Sequence, residues 1–361
     1  MSEDSQIEQR QPKRRGRRLL STALVALTLF ALFQPVPYVL ESPGPLFNTL
    51  GSVNDRELVS ISGTKTYPTK GEINMTTVSV YGGPEQGVDL FQAIEGWFDH
   101  RVNVVPREQI YPDGVTNDQE RQISVADFSS SQSDATAAAL NYLHLPVKKQ
   151  ILITSVESGM PADGKLQAGD FIQEINGHQV ASPEQAVALI RVPPVGRTIT
   201  LKVWRDGSAK MVSVTTTKHP ENKLVPYLGI GIDVNYQAKF NINFEVGDVG
   251  GPSGGTMFAL AIIDKLTPGS ITNGKVIAGT GTISPKGEVG PIGGIAQKMI
   301  ASADHGAALF IAPLSNCSDI RGHVPAGLKV VPVSTLSEAV QVLKDFKAGK
   351  QLGSCPVEQG K

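Results

Sequence analysis

Residues 250–266 read GGPSGGTMFALAIIDKL, and residues 278–303 read AGTGTISPKGEVGPIGGIAQKMIASA. In the first stretch Ser253 stands on a glycine-rich turn, and the apolar run after it is patterned as a helix over residues 256–266. A serine at the start of a helix is well placed to attack a carbonyl. Backbone N–H groups and the helix dipole can stabilise the oxyanion that develops there. Taken alone, such a turn only caps a helix. The second stretch adds Lys298, in a helical run over 295–303 among Ile295, Met299 and Ile300. A lysine held partly dry loses its preference for the charged form and can take a proton near neutral pH. Serine with lysine is a known variant of nucleophile with base.

Both stretches resemble the proteolytic domain of Lon peptidases, in particular the stand-alone membrane-anchored type that carries a PDZ domain (YlbL-like). The family nucleophile lies in Gly-Pro-Ser-Ala-Gly. Ser253 matches it, with Gly254 in place of the alanine, a small-for-small change expected to be harmless. The family base lies four residues after a Gly-Gly pair, and Lys298 follows Gly294 by four. Thr280 matches a threonine that supports the lysine amine. The resemblance implies a serine endopeptidase with Ser253 as nucleophile, Lys298 as base and Thr280 in support. It also implies a ring-like homo-oligomer. No Gly-x-x-x-x-Gly-Lys-[Ser/Thr] phosphate loop occurs in the sequence. Cleavage is therefore expected without ATP, on unfolded or extended protein or peptide segments. No cofactor and no metal are expected: the six histidines are scattered and no His-Glu-x-x-His occurs.

Upstream, residues 146–218 form a block of different texture. Its run 159–180, GMPADGKLQAGDFIQEINGHQV, resembles a PDZ domain. Gly169-Asp170 suits a tight turn, and Asn176-Gly177 supplies positive φ for a hairpin. Strands are expected at 151–156, 198–204 and 211–216, with a helix at 183–190. No Gly-Leu-Gly-Phe carboxylate loop precedes the first strand, where Leu143-His144-Leu145-Pro146 stands instead. An extended peptide is expected to add along strand 151–156.

The remaining boundaries follow from these two blocks. Residues 222–348 read as the Lon-type proteolytic domain. Residues 50–145 read as the first part of a split peptidase domain, with 70–82 as opening strands and 131–143 as its Ala-rich helix, capped by Ser133 or Asp134. The PDZ-like block is then an insertion. Residues 101–133 look polar and loop-like. Over 86–99, Val88, Leu90, Phe91, Ile94, Trp97 and Phe98 are spaced like one helix face.

The net charge of -1 gives no basic field for nucleic acid. The basic residues Arg10, Lys13, Arg14, Arg15, Arg17 and Arg18 crowd a tail over 1–18, and the 22 residues 19–40 carry no charge. At ~1.5 Å per residue, one helix of that length would cross a hydrocarbon layer of ~30 Å. Residues 19–40 are thus expected to be a single-pass transmembrane anchor, with the basic tail cytoplasmic and both folded blocks extracytoplasmic. A cleaved signal peptide has the same charge pattern, but Ala31-Leu32-Phe33-Gln34-Pro35 is a poor cleavage site. Cys317 and Cys355 are the only cysteines. A disulfide between them would tie down the polar tail 349–361 in an oxidising compartment.

The expected fold class is therefore α+β: an N-terminal transmembrane helix, a PDZ-like β module and a Lon-type proteolytic domain. Two rival readings stand beside it. Gly251-Pro252-Ser253-Gly254-Gly255 also fits the Gly-x-Ser-x-Gly elbow of α/β-hydrolases, with Asp304, His305, Asp319 and His323 available downstream. The other rival is a catalytically inactive membrane PDZ scaffold.

Overall fold

The computed structural model describes residues 13–53, 55–247 and 249–356. Arg10, in the basic tail, and the last five residues of the polar tail lie outside the described residues. The chain divides into two compact units, one of Met1–Ser42 with Val80–Asn117 and one of Pro43–Ser79 with Asp118–Lys361.

The first unit opens with the helix Lys13–Leu32. The uncharged run 19–40 is not one helix. Proline cannot continue a helix, so Pro35 and Pro37 hold the chain open after Leu32, and Tyr38 begins the strand Tyr38–Asn48. Residues 19–32 are the uncharged part of the helix, ~21 Å long at ~1.5 Å per residue, and residues 38–40 are strand. Among the described residues no helix is long and apolar enough to cross a membrane, which corrects the span expected at 19–40. Tyr38 to Glu41 pair antiparallel with the strand Asn103–Pro106. The helix Leu90–Phe98 starts on a capping box, in which Asp89 and Gln92 each accept the other's backbone N–H. Its large apolar side chains do not form a buried face: only Ala93 and Gly96 are buried.

In the second unit, a mixed sheet runs in the order Val330–Val333, Leu309–Pro313, Val276–Gly279, Glu72–Tyr81 and the part of Tyr38–Asn48 that follows Ser42. The first four strands are parallel, with Glu72 opposite Val276, Ile277 opposite Leu309 and Phe310 opposite Val330. Such strands are covered on both faces, which suits their Val/Ile/Ala/Phe content. The helix Gly255–Leu266 is buried from Gly255 through Lys265, packed among Met75, Phe128, Ile277, Ile283 and the helix Leu336–Lys347. Residues 101–133 are not a loop, because the helix Asn117–Tyr142 runs through most of them. Its first half is mostly polar, with Asn, Asp, Gln, Glu, Arg and Ser around Ile123, Val125 and Phe128, which hides helical periodicity. Ser133, expected as a cap, lies inside that helix, and its Oγ instead accepts the backbone N–H of Tyr236 at 2.7 Å.

A second sheet follows the order Ser208–Thr215, Thr198–Arg205, Phe171–Ile175, Lys148–Val156 and Ile230–Gln237. Its hairpins turn at Asn176-Gly177 and Asp206-Gly207, all four residues at positive φ. Asp170 is fully buried at its turn, where its carboxylate takes two hydrogen bonds from the Arg205 guanidinium. Lys148–Val156 is paired along its length with Ile230–Gln237, a strand that comes after the PDZ-like block. The edge expected to be open at 151–156 is therefore occupied, and the outer strand is Ile230–Gln237.

Candidate active site

Ser253 sits half-buried on the turn that enters Gly255–Leu266. Three contacts hold this turn. The Gly251 N–H donates to the Ser124 carbonyl at 3.0 Å, the Ser131 hydroxyl donates to the Pro252 carbonyl at 2.9 Å, and the Gly281 N–H donates to the Ser253 carbonyl at 2.8 Å. Space here is tight enough to require glycine. A Cβ on Gly250 would meet Ser124 Oγ at 1.9 Å, and one on Gly254 would meet Met75 Sδ at 2.1 Å. The glycine at 254 is thus matched to the methionine on the neighbouring strand.

Lys298 reaches the same point from the helix Ile295–Asp304. That helix is entered at Gly294, whose φ of 63° is the left-handed conformation that glycine adopts without strain. A Cβ there would also meet Val78 Cγ1 at 2.5 Å. Lys298 is 3% exposed, with Nζ donating to Ser253 Oγ at 2.9 Å and to Thr280 Oγ1 at 3.2 Å. The Thr280 hydroxyl in turn donates to the Ser253 carbonyl at 3.1 Å. Burial of this kind disfavours an ammonium relative to a neutral amine. Ser253, Thr280 and Lys298 thus form one hydrogen-bonded group.

The group opens on a cleft of about 310 Å³ whose walls include Phe47, Met75, Thr77, Phe128 and Val249. Among the described residues, the backbone N–H groups of Ser253 and Gly254 have no acceptor, and they lie beside the serine oxygen in sequence. The hydrolase-type acids and histidines go elsewhere. His305 pairs with Glu72, His323 faces the Arg321 carbonyl, and Asp319 accepts from Asn316.

Sequence reasoning missed Asn316. It is buried, and its side chain both accepts the Ile292 N–H at 3.0 Å and donates to the Ile292 carbonyl at 2.9 Å. This fixes the turn that feeds Gly294 and the Lys298 helix. The next residue, Cys317, is joined to Cys355 in a disulfide. Cys355 packs against a cluster containing Ile295 and Met299 of the same helix.

Comparison with known proteins assigns these regions. Residues 228–345 match the Lon protease (S16) C-terminal proteolytic domain, and residues 126–216 match a PDZ domain. The chain is 36% identical to a Lon protease of Elusimicrobium minutum over 132 residues, covering 35% of this chain and 15% of that one. It is 31% identical to a Lon protease of Xanthomonas oryzae over 134 residues, covering 34% of this chain and 16% of that one. The chain thus spans about a sixth of the length of these relatives. A solved PDZ domain of an SdrC-like protein from Listeria innocua is 28% identical over 23% of this chain and 92% of that one, with a TM-score of 0.22. The two family models place a PDZ domain and a Lon-type proteolytic domain in the one chain. The region that holds Ser253, Thr280 and Lys298 is similar to the Lon proteolytic domain. The strand Ile230–Gln237 lies within the Lon match, yet it completes the sheet of the PDZ region.

Proposed function

We propose that the protein is a serine endopeptidase that cuts unfolded or extended protein segments without ATP, using Ser253 and Lys298. The observation that carries this reading is the 2.9 Å contact between a buried lysine amine and the serine oxygen. Thr280 Oγ1 binds one N–H of the amine, which aims the nitrogen lone pair of neutral Lys298 at the Ser253 hydroxyl. Lys298 takes the proton as Ser253 Oγ attacks the scissile carbonyl, then gives it to the leaving amine. The resulting ester is hydrolysed by a water that Lys298 deprotonates in the same way. The Ser253 and Gly254 N–H groups are the candidate oxyanion donors.

The PDZ domain supplies a binding surface for protein substrates at the outer strand Ile230–Gln237. Part of that edge is already satisfied: Ser133 takes the Tyr236 N–H, and the Asp233 carboxylate takes the Val234 N–H. Peptide addition is therefore expected at residues 230–232, next to the turn at Gly229. In this reading the PDZ region interrupts a split peptidase domain. Two strands from before it support this: Glu72–Tyr81 pairs with Val276–Gly279, and Val59–Ser62 pairs with Asn241–Phe244. The folded parts work outside the cytoplasm, where the Cys317–Cys355 disulfide persists. The N-terminal helix attaches them to a membrane through exposed Leu20, Leu24, Leu27 and Phe30.

The test is turnover of an unfolded protein such as reduced casein, without nucleotide. Ser253→Ala and Lys298→Ala should each lower it by about 10⁴-fold or more while the circular dichroism spectrum is unchanged. Near-normal turnover by Lys298→Ala would show that the base is wrongly assigned, and a requirement for ATP would remove the nucleotide-independent reading.

A further inference from the structure

The helix Leu90–Phe98 packs with its small residues inward and its aromatic residues outward. Ala93 and Gly96 are its buried positions. A Cβ on Gly96 would meet Val104 Cγ2 at 2.9 Å and Leu40 Cδ2 at 3.1 Å, so the helix lies close on the strands beneath it. On its outer side Phe91 and Trp97 are about half exposed, and Phe98 is 88% exposed. An apolar surface turned to water in this way marks a contact with something apolar.

Two observations say what that is. The start of this helix is bonded to the chain just after the N-terminal helix: the Leu90 N–H donates to the Gln34 carbonyl at 3.1 Å, and the Val36 N–H donates to the Val88 carbonyl at 2.8 Å. The helix that carries the aromatics is therefore tied at its start to the chain that leaves the exposed leucines, valine and phenylalanines of residues 20–33. The patch also has the composition of a membrane boundary. Trp97 stands edge-on to Tyr38, ring centroids 5.7 Å apart, and Gln92 and Glu95 on the same helix and Asp99 at its C-cap are exposed. Tryptophan and tyrosine, with an apolar body and a polar tip, concentrate where acyl chains meet headgroups.

We propose that helix Leu90–Phe98 seats Phe91, Trp97 and Phe98 in the headgroup–acyl boundary of a lipid bilayer, beside the N-terminal helix. The inference rests on the membrane attachment proposed above and adds a second, in-plane contact to it. Because Glu95 and Asp99 flank the aromatics, apolar burial drives this contact and anionic lipid adds little.

The experiment uses the full chain carrying Trp204→Phe, which leaves Trp97 as the one tryptophan, reconstituted with phosphatidylcholine vesicles. Flotation reports attachment. Quenching by lipids brominated near the headgroup end of the acyl chain reports the position of Trp97. Trp97 emission should fall roughly two-fold, and F91S/F98S should abolish most of that fall. Flotation without quenching overturns the inference and leaves the attachment standing, while failure to float overturns both. Wild-type quenching in F91S/F98S overturns the seating of the phenylalanines. Cross-linking of two chains through F98C in vesicles would mean that a second copy covers the patch, and also overturns it. The same quenching in Ser253→Ala keeps this result independent of the peptidase reading.

Discussion

The helices Gly255–Leu266 and Leu90–Phe98 are both short, both apolar and both set close to their neighbours by glycine. Their surroundings differ. The first is buried from Gly255 to Lys265, including Asp264 and Lys265, whereas the second buries only Ala93 and Gly96 and leaves Phe91, Trp97 and Phe98 outside. Apolar content therefore does not tell which side of a helix faces inward. The glycines do, because a missing side chain is needed where another chain comes close. At Gly254 and Gly255 the close neighbours are Met75 and Ile283, and the closeness sets the position of Ser253. At Gly96 the neighbours are Leu40 and Val104, and the closeness leaves an aromatic surface free.

The largest effect is expected at Lys298. If the buried site is a reaction centre and not only a well-packed core, Lys298→Arg should lose about 10⁴-fold in casein turnover, although the length and hydrogen-bond donors of the side chain are retained. A guanidinium stays protonated and cannot serve as base. Turnover within about tenfold of wild type would contradict the assigned chemistry.

How much of this was legible in the sequence depends on the range of the contacts. Ser253, Thr280 and Lys298 stand in two short stretches whose glycine turns are visible as such, and the structure brings the three within hydrogen-bond distance. Asn316 could not be read, because its role exists only once its turn meets Ile292. Nor could the closing of strand 151–156, whose partner Ile230–Gln237 comes after the intervening PDZ-like block. The uncharged run 19–40 misled for a different reason. Absence of charge is common to helix and strand, and the change between them is made by Pro35 and Pro37. The helix Asn117–Tyr142 escaped because serine-rich helices lack an apolar stripe and gain stability from packing, here from Phe128, Ala135 and the alanines 137–139.

The disulfide gives the next largest effect. It closes a span of 38 residues and places Cys355 against Ile295 and Met299, under the Lys298 helix. Replacing both cysteines by serine should lower unfolding free energy by about 2–4 kcal/mol. Urea unfolding of the oxidised protein beside the double variant measures this. Equal midpoints would show that the tail adds nothing to the packing beneath Lys298.

A smaller effect tests the glycine rule itself. Gly254→Ala should cost about 1–3 kcal/mol by overpacking against Met75, with a matching loss of turnover as the Ser253 turn shifts. Met75→Val shortens the opposing side chain, so the double variant should recover more than the two single effects add up to. The same substitution at Gly96 meets the movable ends of Val104 and Leu40 and should be milder and leave turnover alone. If Gly254→Ala were silent and Gly96→Ala severe, glycine would be serving something other than close approach.

The smallest effect lies where the helix Asn117–Tyr142 meets the outer strand of the PDZ region. Asp134 is pushed from an ordinary 3.8 up to about 7, first by burial and then by the nearby Asp233 carboxylate. Burial, followed by the same Asp233, also raises Asp127, and Ser130 donates to Asp233 at 2.6 Å. The direction of the pH dependence follows from which state holds the proton. Between about pH 4 and pH 7 the folded protein keeps a proton on Asp134 that the unfolded chain has released. This contribution is therefore fully favourable below pH 4, is lost as pH rises to 7, and changes no further above that. Asp134→Asn keeps the neutral shape without the proton, so its melting temperature should lose this part of the slope. At pH 8 the variant should melt about 1–3 °C higher than wild type, a modest gain because solvent still reaches the carboxylate. Melting curves of the two proteins that run parallel from pH 4 to pH 8 would show that Asp134 is ionised in the folded state throughout.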